Sequence, residues 1–115
     1  MSADQELLQR AYAAFNARDV DGALALMHPD VTWPNGFEGG MVQGHAAVRA
    51  YWTRQWAQID PRVDPLRFTP GPPGWTVVDV RQVVRDLSGA VLKDQVVRHA
   101  YLVEDGLVRT MEIRP

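Results

Sequence analysis

The sequence predicts an α+β protein in which helices pack against one face of a curved antiparallel sheet. Apolar residues at helical spacing fill the first half of the 115-residue chain, and β-branched runs between glycine turns fill the second half. The two patterns do not alternate, which argues against a parallel sheet of βαβ units. With 46% hydrophobic residues, the chain suits one domain, residues 1–115, whose core needs no disulfide.

Two amphipathic helices are predicted at the start of the chain. The first covers roughly Ala3 to Ala17 behind a Ser2-x-x-Gln5 capping box, which satisfies backbone donors at the helix start. The second runs from Val20 to Met27. It ends at His28-Pro29, because a residue that precedes proline is pushed out of the helical region.

A strand, a glycine-rich stretch and a third helix follow. The strand is predicted from Val31 to Trp33, and the glycine-rich stretch covers residues 35–40. Apolar residues then recur at steps of three and four from His45 to Ile59, with Gly44 as the N-cap. This segment is the third predicted helix.

The second half of the chain predicts an antiparallel meander. Val63 to Thr69 is an expected edge strand, because Pro65 and Pro70 cannot donate ladder hydrogen bonds. Three further strands are separated by the turn signals Ser88-Gly89 and Asp105-Gly106. These strands cover Trp75 to Leu87, Val91 to Glu104 and Leu107 to Arg114.

The register of the two hairpins decides which side chains face the helices. A tight Ser88-Gly89 turn pairs Asp86 with Val91 and Val78 with His99, and it also pairs Asp79 with Arg98. In the second hairpin, a two-residue loop pairs His99 with Glu112. A three-residue loop that begins at Glu104 pairs His99 with Met111 and Arg98 with Glu112. We adopt the three-residue loop, because it separates the apolar and polar faces more cleanly.

Under this register, His99 and Tyr101 lie beneath the helices. The opposite face then carries an acid–base–acid row made of Asp79, Arg98 and Glu112. An outward ion cluster of this kind is typical of an interface rather than of a catalytic network.

Composition and charge exclude several classes of protein. A net charge of −2 with dispersed basic residues argues against a nucleic-acid partner. No apolar stretch is long enough to span a bilayer, and the N-terminus lacks signal-peptide features, so we expect a cytoplasmic protein without a membrane partner. The lack of cysteine excludes thiolate chemistry, and His28, His45 and His99 lack metal-ligand spacing. No cofactor motif is present, so we expect neither a metal nor a cofactor.

His99 is the main candidate for chemistry. An imidazole with a pKa of about 6.5 suits general acid–base catalysis. The more common alternative is a histidine that lines a pocket without reacting, hydrogen-bonded to Tyr12, Asn35 or a backbone carbonyl. Asn35 is the second catalytic candidate, since its amide can polarise a carbonyl or enolate oxygen. The surrounding Trp33-Pro34-Asn35-Gly36 segment also has the composition of a turn.

Aromatic residues provide candidate walls for a pocket. Aromatic side chains at helical spacing serve either a core or a cage around a flat apolar ligand. The expected substrate-binding residues are Tyr12, Phe15, Trp33, Phe37, Trp52, Trp56, Tyr101 and Met111, with Phe37 as a lid residue.

The chain resembles nuclear transport factor 2-like proteins, in their SnoaL-like and ketosteroid isomerase-like branch. The resemblance is carried by residues 9–33, by residues 44–52 and by residues 105–113. It implies a cone-shaped α+β barrel, in which a strongly curved antiparallel sheet is wrapped by three helices around an internal pocket. It also implies a homodimer that forms through the outer face of the sheet.

The resemblance also shows where this chain departs from the ketosteroid isomerases. Their carboxylate base corresponds to Asn35, their oxyanion-binding tyrosine to Ala11 and their protonated aspartate to His99. A supporting tyrosine of the third helix corresponds to Trp52. All three chemical positions differ, which argues against steroid isomerase activity by that mechanism.

Two functions are compatible with the sequence. The first is a cofactor-free isomerase, cyclase or hydratase for a small apolar carbonyl compound, with proton transfer by His99 and an oxyanion held by Asn35 and Tyr101. The second is a non-catalytic ligand-binding or dimerisation module. Convergence of His99 and Asn35 on a solvent-reachable cavity would favour the enzyme.

Overall fold

The computed structural model describes residues 2–36 and 38–114. Within these residues, the helices are α1 (Ala3–Asn16), α2 (Val20–Leu24) and α3 (His45–Trp56). The strands are β1 (Met27–Pro34), β2 (Met41–Gln43), β3 (Ile59–Pro70), β4 (Trp75–Asp86), β5 (Val91–Glu104) and β6 (Leu107–Arg114). No helix in this part of the chain is both long and apolar enough to cross a membrane. The predicted α+β class is confirmed.

The six strands form one open, curved sheet in the order β2-β1-β6-β5-β4-β3. Strands β3 to β6 form the predicted antiparallel meander, and β3 lies at an edge as its prolines require. Strand β1 pairs with β6 in parallel, which is the exception to the expected antiparallel sheet. The helices cover the concave face, and the buried core lies between them and the sheet.

The helix starts follow the predicted caps, but the predicted second helix is too long. Ser2 Oγ accepts a hydrogen bond from the Gln5 N–H at 3.1 Å, as the capping box requires. Helix α2 ends at Leu24 rather than Met27, because the backbone from Met27 onward joins the sheet. The Leu26 carbonyl accepts a hydrogen bond from the Val108 N–H at 2.9 Å, so tertiary pairing overrides the helical pattern.

The region after β1 differs from the prediction in two respects. The short strand β2 was not predicted, since it lies beside glycines and pairs Trp33 with Val42. Helix α3 begins after Gly44 as expected, and the φ of +85° at Gly44 favours glycine. Helix α3 ends at Trp56 rather than Ile59, because Ile59 already pairs with Asp86 in the sheet.

The first hairpin keeps most of its predicted register but not its turn. Val78 lies opposite His99, as predicted, whereas Asp86 bonds to the Ala90 carbonyl rather than pairing with Val91. The turn is therefore one residue longer than expected. An extra residue at Leu92 restores the pairing farther along the strands, as a β-bulge does.

The adopted register of the second hairpin is wrong. Asp105 and Gly106 both have positive φ values, of 53° and 74°, so the loop is the two-residue type and not the three-residue type. A bulge at Arg109 then shifts the pairing, so that His99 lies opposite Ile113. Because this register differs from the adopted one by two residues, the assignment of His99 to the helix-covered face still holds.

The observed register also corrects the predicted acid–base–acid row on the outer face of the sheet. Arg98 lies opposite Arg114 rather than Glu112, although its Nε remains 3.3 Å from an Asp79 carboxylate oxygen. Glu112 instead accepts a hydrogen bond from Arg114 at 3.0 Å. Asp79, Arg98 and Glu112 thus share a face without forming one continuous row.

Asn16 ties the end of α1 to the free edge of β3. Its Nδ2 donates to the Val63 carbonyl at 2.7 Å, and its Oδ1 accepts from the Val63 N–H at 2.9 Å. The side-chain amide therefore replaces a neighbouring strand at an edge that would otherwise leave two backbone groups unpaired.

We expect Asn16→Ala to lower the free energy of unfolding by about 1–3 kcal/mol, because both Val63 backbone groups lose their partners. Asn16→Asp should cost at least as much, since the carboxylate keeps the acceptor but sets a charged oxygen against the Val63 carbonyl in place of the donor. Urea denaturation of the three proteins checks the order. Equal stability of Asn16→Ala and the unchanged chain would contradict this role for Asn16.

Candidate functional site

A cavity of about 470 Å³ lies between the concave face of the sheet, α1 and α3. A pocket of this size can hold a compact small molecule. Its walls come from four sources: the inner face of α1, the inner face of α3, the end of β1 and the concave face of strands β3 to β6.

Aromatic rings form one wall of the cavity. The rings of Trp33 and Trp52 meet edge to face with centroids 5.6 Å apart, and Phe15 meets Trp52 in the same way at 5.2 Å. Trp33 also contacts Tyr101 at 6.2 Å. Such contacts hold the rings in position, because edge-to-face pairs are favoured over face-to-face pairs. The described aromatic residues that line the cavity are Tyr12, Phe15, Trp33, Tyr51, Trp52 and Tyr101.

His99, Tyr12 and Tyr101 form a hydrogen-bonded cluster at the sheet side of the cavity. The Tyr101 hydroxyl donates to the Tyr12 oxygen at 2.7 Å, and the Tyr12 oxygen lies 2.8 Å from His99 Nδ1. All three residues are buried and all three line the cavity. The Tyr12 and His99 rings are also nearly parallel, with an interplanar angle of 11°.

This network favours one tautomer of the imidazole. When Tyr12, an acceptor from Tyr101, directs its own hydrogen to Nδ1, the ring proton of His99 lies on Nε2. Among the described residues, none forms a hydrogen bond with Nε2, although this atom is not fully buried. The site therefore offers an N–H donor to a ligand in the cavity.

Burial keeps the cluster neutral at pH 7. It lowers the pKa of His99 from 6.5 to about 4, because desolvation disfavours the charged imidazolium. Burial likewise raises the pKa of Tyr12 and of Tyr101 well above the usual tyrosine range. The His99 imidazole is therefore neutral at pH 7, and the tyrosines stay protonated.

The structure does not bring Asn35 into the cavity. The Asn35 amide closes the loop after β1: its Nδ2 donates to a Glu38 carboxylate oxygen at 3.0 Å, and its Oδ1 accepts from the Glu38 N–H at 2.7 Å. Arg54, and then Asn35, hold the pKa of the Glu38 carboxyl below its usual value. Asn35 is buried but is not among the described residues that line the cavity.

Two other predicted binding residues are placed elsewhere or are not described. Trp56 lies behind the wall and is absent from the described lining residues; its ring packs on Trp52 at 5.7 Å and under the Arg18 guanidinium at 4.9 Å. Phe37, the expected lid residue, lies outside the described residues. Tyr12, Phe15, Trp33, Trp52, Tyr101 and Met111 do line the cavity together with His99.

Sequence reasoning missed the polar residues at one end of the cavity. Lys93, Gln95 and Gln82 line it, and Gln95 Nε2 donates to Gln82 Oε1 at 2.9 Å. Lys93 and Gln95 share the two-residue alternation of His99 along β5, so extending that face toward the first hairpin would have found them. No group of three or more His, Asp or Glu residues able to hold a metal occurs within residues 2–36 and 38–114.

Comparison with protein families gives a match over nearly the whole chain. The model described as a SnoaL-like domain covers residues 8–111. This chain belongs to the SnoaL-like family. A search of curated proteins finds no significant match to this SnoaL-like domain.

Solved structures share the fold of this SnoaL-like domain. TerC, co-crystallised with polyporic acid, is 29% identical with a TM-score of 0.87, over 98% of this chain and 91% of TerC. An NTF2-like protein of unknown function from Burkholderia pseudomallei is 28% identical with a TM-score of 0.86, over 99% of this chain and 91% of its own. A Mycobacterium tuberculosis protein in complex with estradiol-17β-hemisuccinate shares the fold at 22% identity, with a TM-score of 0.85 over 100% and 95% of the two chains.

The pKa of His99 predicts how the stability of this SnoaL-like domain depends on pH. Below about pH 6.5 the unfolded imidazole takes up a proton, whereas the folded one does so only near pH 4. Acidification from about pH 6.5 to about pH 4 should therefore cost on the order of 3 kcal/mol through His99 alone.

The measurement is denaturant unfolding across this pH range for the unchanged chain and for His99→Phe. As the pH falls toward 4, the free energy of unfolding of the unchanged chain should fall relative to that of His99→Phe. A constant difference would mean that His99 does not titrate with a lowered pKa.

Proposed function

We propose that this protein binds a compact, largely apolar molecule that carries a carbonyl oxygen. His99 Nε2–H is the donor to that oxygen. One observation carries the proposal: the buried His99 lines the cavity with Nδ1 bonded to Tyr12, while Nε2 has no partner among the described residues. A buried donor of this kind favours a ligand with an acceptor in the same place.

The walls around His99 support an apolar ligand. Trp33, Trp52 and Phe15 present aromatic surface to the cavity, and aliphatic side chains of the sheet complete it. The relatives support a small-molecule role, since TerC was co-crystallised with polyporic acid at 29% identity.

The proposed chemistry is polarisation of the bound carbonyl by a neutral imidazole. As negative charge develops on the carbonyl oxygen, the bond from Nε2–H strengthens, and a preorganised donor in a buried site is effective at this task. Tyr12 holds the ring in the required tautomer through Nδ1. Such polarisation acidifies the neighbouring carbon, and its proton then passes to solvent water, because none of the described lining residues is a carboxylate.

A second candidate function is ligand binding without catalysis. It is favoured because the described lining of the cavity contains no carboxylic acid: none of these residues is an aspartate or glutamate. The pKa of His99, about 4, also makes its imidazole a weak base. A binding module needs only the donor and the apolar walls.

The ketone 1-tetralone tests both functions. His99→Phe keeps a ring but removes the donor, so we expect affinity measured by calorimetry to fall about threefold to tenfold. His28→Gln, which changes a histidine outside the described lining of the cavity, is the control and should bind as before.

Exchange of the tetralone hydrogens next to the carbonyl, followed by NMR in D₂O, separates catalysis from binding. Catalysis predicts exchange above background that is lost in His99→Phe and kept in His28→Gln. Binding without faster exchange selects the non-catalytic function. Unchanged affinity in His99→Phe would contradict the role proposed for Nε2.

We also propose that the protein forms a homodimer through the outer face of the sheet. On this face Val96 is 63% exposed, and it lies between the ion pairs Arg81–Asp94 and Arg98–Asp79. An exposed valine framed by opposite charges suits a two-fold contact, in which each patch meets its own copy.

Val96→Glu replaces the apolar centre of that face with a carboxylate, which meets its own copy across a two-fold contact, and should convert the dimer to a monomer in sedimentation velocity. Ala13→Glu, which adds the same charge to the exposed side of α1, should leave the dimer intact. A monomeric unchanged chain at micromolar concentration would refute the dimer.

A further inference from the structure

Lys93 lies at the polar end of the cavity, on the strand that also carries His99. Alternate residues of β5 line the cavity in the order Lys93, Gln95, Val97, His99 and Tyr101. Along this strand, the side chains that line the cavity change from a charged one to an amide, then to an apolar one, and then to the buried histidine and tyrosine. Lys93 and Gln95 are exposed, whereas His99 and Tyr101 are buried, so Lys93 lies at the mouth.

Lys93 provides the only formal charge among the described residues that line the cavity, because His99 is neutral at pH 7. It is also the only lysine in the sequence. Most arginines of the chain are engaged by carboxylates, for example Arg81 by Asp94 and Arg54 by Glu38. In the described part of the chain, Lys93 forms no ion pair, and no carboxylate shares the cavity lining with it.

The neighbours of Lys93 leave its ammonium group available to a ligand. Val84 lies directly opposite it on β4, and the Gln82 and Gln95 amides, one step deeper, bond to each other at 2.9 Å. An aliphatic neighbour and a self-satisfied amide pair do not neutralise a cation. An anion entering here gains a charge-assisted hydrogen bond that is stronger than a neutral one.

We infer that the mouth of the cavity binds a carboxylate, so that the ligand is an apolar carbonyl compound with an acidic group at its opposite end. This inference rests on the proposed function, because His99 holds the carbonyl. Lys93 and His99 are six positions apart on β5, which is about 20 Å along a strand. The ligand therefore carries its acidic group on a tether long enough to bridge the distance between His99 and Lys93.

The test uses 1-tetralone bearing an alkyl chain at C6 that ends in a carboxylate, with the chain length varied, and the matched primary amides. For chains long enough to reach the mouth, we expect the acid to bind about threefold to tenfold more tightly than the amide. Lys93→Gln should abolish this preference, and Lys93→Glu should reverse it. High salt should weaken the preference in the unchanged chain, because the pair lies in an exposed position.

Arg10→Gln is the matched control, since it removes one positive charge from an exposed site on α1 outside the described lining. It should keep the preference for the acid. Equal binding of acid and amide, or an equal preference in Lys93→Gln, overturns the inference. If the amides bind His99→Phe less tightly than they bind the unchanged chain, the proposed function holds even where the inference about Lys93 fails. If neither acid nor amide binds the unchanged chain, both proposals fail.

Discussion

The hydrogen-bonded cluster of Tyr12, His99 and Tyr101 is the constraint on which the rest of the structure depends. Three polar groups are buried here, and unsatisfied polar groups would each cost on the order of 1–3 kcal/mol. Their mutual hydrogen bonds remove that cost, provided that α1 lies at a set distance from β5. The same bonds favour the Nε2-protonated tautomer of His99. The hydrogen bonds that hold α1 against β5 are thus the same bonds that orient the His99 ring toward the cavity.

The curvature of the sheet provides the space in front of this cluster. Extra residues at Leu66, Leu92 and Arg109 interrupt the ladders of β3, β5 and β6, and bulges of this kind bend a strand and increase its twist. Around the bent sheet, β5 alternates between a cavity-facing series and an outward series. Lys93 and His99 belong to the first, and Arg98 to the second. One strand therefore supplies both residues that line the cavity and residues of the outer ion pairs.

Much of the fold could be predicted because local patterns and tertiary environment agree there. The Ser2 cap, the proline-rich edge strand β3 and the alternation along β4 and β5 all follow from single-residue properties. Prediction failed where distant backbone decided the outcome. Helix α2 ends early because Leu26 bonds to Val108, more than eighty positions away. Strand β2 exists only because β1 is beside it, and no pattern in three residues could indicate that partner.

The site shows the same division. By itself, the sequence determined the class of fold, the face on which His99 and Tyr101 lie, and the aromatic character of the walls, because these follow from periodicity and side-chain type. The structure decided between the two roles that the sequence left open for Asn35, in favour of the loop with Glu38, and it placed Trp56 behind the cavity wall. It also decided that Tyr12 orients His99, and that Lys93 is the charged residue among the described residues that line the cavity. The Tyr12–His99 bond and the Arg18–Trp56 contact join distant segments, and a two-residue change of register or a single bulge moves such contacts without altering the local pattern.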